Sequence, residues 1–109
     1  MGRITRHLLS QRSFYPLYPP DESLPLDTEK LADHGQMDYT PHILIVPSDL
    51  RHFIKDVDGT VVINPERLTK GHSGGTYARI QIDLPPEFQD EIKNGSPIAD
   101  YVIGEILKI

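Results

Sequence analysis

The stretch PHILIVPSDLRHFIKDVDGTVVIN, from Pro41 to Asn64, limits the possible folds more than any other part of this chain. Asp58-Gly59 is a favoured two-residue hairpin turn, because such turns need positive φ at both central positions and Asp and Gly tolerate it. The flanking runs RHFIKDV and TVVIN are therefore expected to pair as antiparallel strands. HILIV, a continuous apolar run closed by Pro47, predicts another strand, covered on both faces. Downstream, YARIQIDL alternates, with Ala78, Ile80, Ile82 and Leu84 on one face and Tyr77, Arg79, Gln81 and Asp83 on the other. The closing ADYVIGEILKI fits neither period strictly and is read as a strand.

Short helices surround these strands. RITRHLLSQR spaces Ile4, Leu8 and Leu9 for one apolar face, with its arginines opposite. LDTEKLADHG offers Asp27 as N-cap, Leu26 and Leu31 as a hydrophobic staple and Gly35 as terminator. PPEFQDEIKNG reads as a third helix, with proline at its start, acids early and Gly95 beyond its end. Between the first two lies SFYPLYPPDESLP, whose prolines at 16, 19, 20 and 25 deny helix and predict an extended, partly polyproline-like segment. Its Phe14, Tyr15, Leu17 and Tyr18 need a surface to lie against. The resulting fold class is α+β, with four or five strands and short helices. At 109 residues, positions 1–109 are read as a single unit with one modest core.

The net charge of −5 disfavours nucleic-acid binding by bulk electrostatics, although Arg3, Arg6 and Arg12 open the chain without an acid. Arg67, Lys70 and Arg79 flank a glycine-rich stretch, and acids crowd Asp21 to Asp38 and Glu87 to Glu91. The absence of cysteine removes disulfides, thiol nucleophiles and thiolate zinc sites. No apolar run nears the roughly 20 residues of a membrane span. The chain is read as soluble and intracellular.

The stretch NPERLTKGHSGGTYARI tests whether this loop binds phosphate. It has no Gly-Lys-Ser/Thr ending, Lys70 precedes the glycines, and a strand rather than a helix follows, so neither a P-loop nor a dinucleotide loop fits. A turn explains Gly71, Gly74 and Gly75. The histidines at 7, 34, 42, 52 and 72 lack the spacing that brings two imidazoles onto one ion. Asp56, Asp58 and Gly59 begin like a calcium loop but lack its later ligands. Ser48, Asp49 and His52 lie within five residues without a nucleophile-elbow sequence, which makes a triad a chance grouping.

Three elements, YPLYPP, PSDLRHF and NPERLTKG followed by GGTYAR, occur in an order and at intervals that resemble the B-subunit family of DNA polymerase alpha-primase. The resemblance covers residues 3–83 and, by position, the tail. It implies a calcineurin-like phosphoesterase fold without phosphoesterase activity, associated with an oligonucleotide/oligosaccharide-binding domain. Members of the family are several times longer, so this chain is expected to be a C-terminal part of the inactive phosphoesterase-like domain. Active enzymes similar to this fold carry Gly-His-x-His after a buried strand. Here Pro47, Ser48 and Leu50 stand at the glycine and histidine positions, and Asp49 alone does not make a binuclear site. No metal and no cofactor are expected. Glu66 departs from the family's usual Asn-Pro-Gly-Arg.

The function implied is that of a noncatalytic accessory subunit in the nucleus. It would bind the C-terminal domain of the polymerase alpha catalytic subunit, meet primase through the complex and support initiation of DNA replication. It would touch DNA only indirectly, and no membrane. Phe14, Tyr15, Tyr18, Arg51, Arg67 and Lys70 are the candidate partner-binding residues, with packing of the three aromatics against the subunit's own sheets as the alternative. A metal-dependent phosphodiesterase with its other ligands elsewhere is the competing function, and direct single-strand DNA binding is weakened by the acidic balance. Unpaired edges and apolar faces are expected to make the chain self-associate.

Overall fold

The computed structural model describes residues 2–84 and 98–109, which fall into two units, Met1–Thr40 and Pro41–Ile109. The helix expected over PPEFQDEIKNG lies outside the described residues.

In the first unit, α1 (Gly2–Gln11) is amphipathic, but its buried positions are Thr5 and Leu9, while Ile4 is 55% exposed. This corrects the expected face: Thr5 and Leu9 lie one turn apart, and Thr5 turns inward because its hydroxyl donates to the Gly2 carbonyl at 3.0 Å. Helix α2 (Thr28–His34) starts as expected, with the Asp27 side chain accepting from Lys30 N–H at 3.0 Å. Gly35 ends it with an ordinary φ of −78°. Glycine is needed there for room, since a Cβ would lie 2.4 Å from Leu31 Cδ1. The chain after α1 meets the chain after α2 through a bridge between Ser13 and Gln36, with Met37 N–H donating to Arg12 at 2.7 Å and Phe14 N–H to Gly35 at 2.8 Å. Met37 and Leu9 are the buried apolar residues of this unit.

The second unit is mostly strands, so the described residues are α+β, with two short α-helices among them. Strands β1 (Ile43–Ile45), β2 (Phe53–Val57) and β3 (Thr60–Asn64) form a sheet in the order β1-β3-β2. The hairpin closes as expected at Val57 opposite Thr60, and Asp58 and Gly59 have φ of 51° and 88°. Asp56 Oδ1 accepts from Gly59 N–H at 2.9 Å, so this carboxylate serves the turn. β1 runs parallel to β3, with Ile43 opposite Val61. The strand covered on both faces is β3, whose five residues are all buried, and not β1, where Ile45 is 54% exposed. The reason is position: β3 has a neighbour on each side, whereas β1 pairs only with β3 among the described residues.

The glycine stretch forms a small hairpin, β4 (Thr69–Lys70) with β5 (Ser73–Gly74), around Gly71, whose φ is 64°. β6 (Thr76–Ile82) then pairs antiparallel with β7 (Val102–Lys108), which follows a 3-10 turn at Ile98–Tyr101. Ala78, Ile80 and Val102 of this ribbon pack on Val61 and Ile63 with Ile43 and Ile54, so the core lies between ribbon and sheet. The expected alternation holds through Ile80, but Ile82 and Leu84 are half exposed, beyond that core.

Gly75 fixes how the hairpin joins the ribbon. Its N–H donates to Leu68 at 2.7 Å, its carbonyl accepts from Ile109 N–H at 2.9 Å, and a Cβ would sit 1.9 Å from the Arg67 carbonyl oxygen. We expect Gly75→Ala to destabilise the chain by roughly 1–3 kcal/mol in a urea titration, whereas Gly2→Ala, with open space around it, leaves the midpoint unchanged.

Candidate functional site

Asn64 ends β3 with its side chain fully buried, and it joins two loops. Its Oδ1 accepts from Ser48 N–H at 3.1 Å and from Glu66 N–H at 3.0 Å, while its Nδ2 donates to the carbonyls of Leu50 at 3.0 Å and Arg51 at 3.3 Å. The loop PSDLR after β1 is thus held against the turn PER after β3. A buried amide with both ends satisfied holds irregular backbone in one conformation.

The loops line a polar cleft of about 390 Å³ formed by Asp49, Glu66, Arg67, Lys70 and Gly71. Arg67 donates to Asp49 through Nε and through Nη2, the latter at 2.9 Å, making a bidentate pair. That guanidinium holds the Asp49 carboxyl below its usual range, and Asp49 in turn raises Arg67. Glu66 pairs with Lys70 and, at 3.1 Å, with His52 Nδ1. Hydrogen bonds from Lys70 first and His52 second push the Glu66 carboxyl down to about 2. Glu66 also has a φ of 62°, a left-handed conformation that glycine adopts without cost and an L side chain does not. Its ion pair with Lys70 and its contact with His52 offset that strain.

Ser48 Oγ accepts from Leu50 N–H at 3.1 Å, and the Leu50 side chain is 53% exposed. Ser48, Asp49 and His52 each turn to a different partner, so they form no relay. Among the described residues no three His, Cys, Asp or Glu side chains gather as a metal-ligand set. The donors lining the cleft are two carboxylates, each already neutralised by a cation, and such a set does not fit a divalent pair.

Of the residues expected to meet a partner, Arg67 and Lys70 come together in this cleft, and Arg51 is an exposed neighbour through its backbone. Phe14, Tyr15 and Tyr18 belong to the other unit. Phe14 is 60% and Tyr18 91% exposed, and Tyr15 is half-buried. Asn64 and the Glu66–Lys70–His52 group were not singled out as a site from sequence. The available signal was an asparagine ending an otherwise apolar strand.

Residues 1–55, which include the PSDL segment, match the family of the B subunit of DNA polymerase alpha/epsilon. The chain belongs to that family. Among its relatives, the B subunit of DNA polymerase alpha from Rattus norvegicus is 46% identical over 103 residues, covering 94% of this chain and 17% of that protein. The protein of the same name from Mus musculus is 48% identical over 89 residues, 82% of this chain and 15% of that protein. The one from Caenorhabditis elegans is 38% identical over 109 residues, 100% of this chain and 18% of that protein. The chain therefore spans about a sixth of the length of the relatives it matches. The resemblance carried by YPLYPP, PSDLRHF and NPERLTKG is borne out.

Asn64→Ala leaves two amide donors and two carbonyls without their partner. A loss on the order of 3 kcal/mol is expected by chemical denaturation. Glu66 titrates below its ordinary 4.5 when folded, so its contribution is present above about pH 4.5 and lost as the pH falls towards 2. Thermal midpoints measured between pH 5 and pH 2.5 should fall more steeply for the native chain than for Glu66→Gln.

Proposed function

We propose that this chain is part of a noncatalytic accessory subunit of DNA polymerase alpha, belonging to an inactive phosphoesterase-like domain of calcineurin-like fold. In this reading the parent protein acts in the nucleus, holds the C-terminal domain of the catalytic subunit, meets primase through the assembly and supports initiation of replication. It touches DNA only through its partners. The observation that carries the reading is the cleft itself. At the positions where an active phosphoesterase would place metal ligands stand Ser48 and Leu50, and the nearby carboxylates of Asp49 and Glu66 are bound to Arg67 and Lys70. Relatives at 46% and 48% identity, both named as the B subunit of DNA polymerase alpha, support the same assignment.

The competing reading is a phosphodiesterase completed by ligands outside this chain. It requires Asp49 and Glu66 to release their cations and accept metal. Co-purification of the full-length parent with the polymerase alpha catalytic subunit, followed by a phosphodiester hydrolysis assay on the complex with added Mn²⁺, separates the two. A stable complex without hydrolysis is expected; hydrolysis abolished by Asp49→Asn would establish the phosphodiesterase instead.

A further inference from the structure

The segment from Tyr15 to Asp21 is closed on itself. Asp21 N–H donates to Tyr15 Oη at 3.2 Å, and Tyr15 N–H donates to Ser13 Oγ at 3.2 Å. Asp21 Oδ1 accepts from the Ser23 hydroxyl at 2.7 Å and from Ser23 N–H at 2.9 Å, which together hold the Asp21 carboxyl below its usual range. The base of the segment is tied down where Phe14 N–H donates to Gly35. Inside the closed loop, Pro16, Pro19 and Pro20 each lock φ and lack a donor, so little chain freedom is left to lose when something binds.

At the far part of this loop Leu17 is 56% and Tyr18 91% exposed. Tyrosine combines a large apolar face with a hydroxyl, and it is among the residues that most often dominate interfaces. The surroundings set the sign of the partner. Asp21 and Glu22 follow after Pro19 and Pro20 and are exposed, and no Lys or Arg lies between Arg12 and Lys30. A phosphate backbone is repelled by such a rim, whereas a cationic one is attracted.

We propose that Leu17 and Tyr18 form a preformed knob that enters an apolar pocket rimmed by lysine or arginine on a protein partner. The inference rests on the accessory-subunit reading and deepens it by naming the segment and the chemistry it meets.

The test is the affinity of the full chain for purified polymerase alpha catalytic subunit, measured by anisotropy for the native chain, Tyr18→Ala, Leu17→Ala and Glu22→Lys. A thirty-nucleotide single-stranded oligo-dT serves as a second probe. Tyr18→Ala should weaken protein binding at least about tenfold. Its unfolding midpoint should stay unchanged, because the ring is 91% exposed. Glu22→Lys should weaken binding and flatten its dependence on salt. Native binding that Tyr18→Ala leaves intact overturns the knob but leaves the accessory-subunit reading standing. No binding by the native chain overturns the knob, while the accessory-subunit reading stands or falls with co-purification of the full-length parent. Tight oligo-dT binding lost in Tyr18→Ala, with protein binding unchanged, would make the tyrosine a base-stacking platform and overturn the protein pocket.

Discussion

Asn64 has no exposed side-chain surface, and its four hydrogen bonds decide how the second unit is assembled. β3 can be the central strand only if the chain leaves β1 and enters β2 without disturbing it. The connection Val46–His52 must therefore be held in an irregular path close to the end of β3. Water cannot satisfy that backbone where it is covered, so one amide side chain does so from below. The same amide receives Glu66 N–H, which starts the turn leading into the β4–β5 hairpin. Two loops far apart in sequence thus share one anchor, and the cleft between them inherits its shape.

The chemistry of that cleft follows from charge pairing. A carboxylate that ligates a metal must face it unpaired, yet Asp49 receives a bidentate guanidinium, and Glu66 holds the Lys70 ammonium and the His52 ring. These are largely solvent-side pairs, and such pairs add modestly to stability. Their weight here is in occupancy: they engage the carboxylate oxygens that a metal would need. The left-handed Glu66 is consistent with this, because a side chain at a position suited to glycine gains two partners, Lys70 and His52, that glycine lacks.

Much of the local structure was legible because its causes are local. Asp58-Gly59 announces its hairpin through φ preferences of two residues, and Asp27 caps α2 through one side chain. Gly71 marks a turn, as expected, while Gly75 was required for a different reason, the approach of the Arg67 carbonyl. What was not legible depends on partners distant in sequence. The parallel pairing of Ile43 with Val61 makes β3, not β1, the doubly covered strand. Helix α1 follows its intrinsic period, but Thr5 replaces Ile4 inside because a hydroxyl bonded to its own helix loses its polarity. The cleft was the least legible part, since Asp49 and Arg67 are separated by 18 residues and no spacing rule links them. Family resemblance located the positions, and only the geometry revealed what their carboxylates hold.

Calorimetric titration of Mn²⁺ into the chain tests most directly whether Asp49 and Glu66 serve as structural anions and not as metal ligands. No stoichiometric binding at micromolar to low-millimolar Mn²⁺ is the predicted result. Binding of one or two ions per chain, abolished by Asp49→Asn or Glu66→Gln, would contradict it.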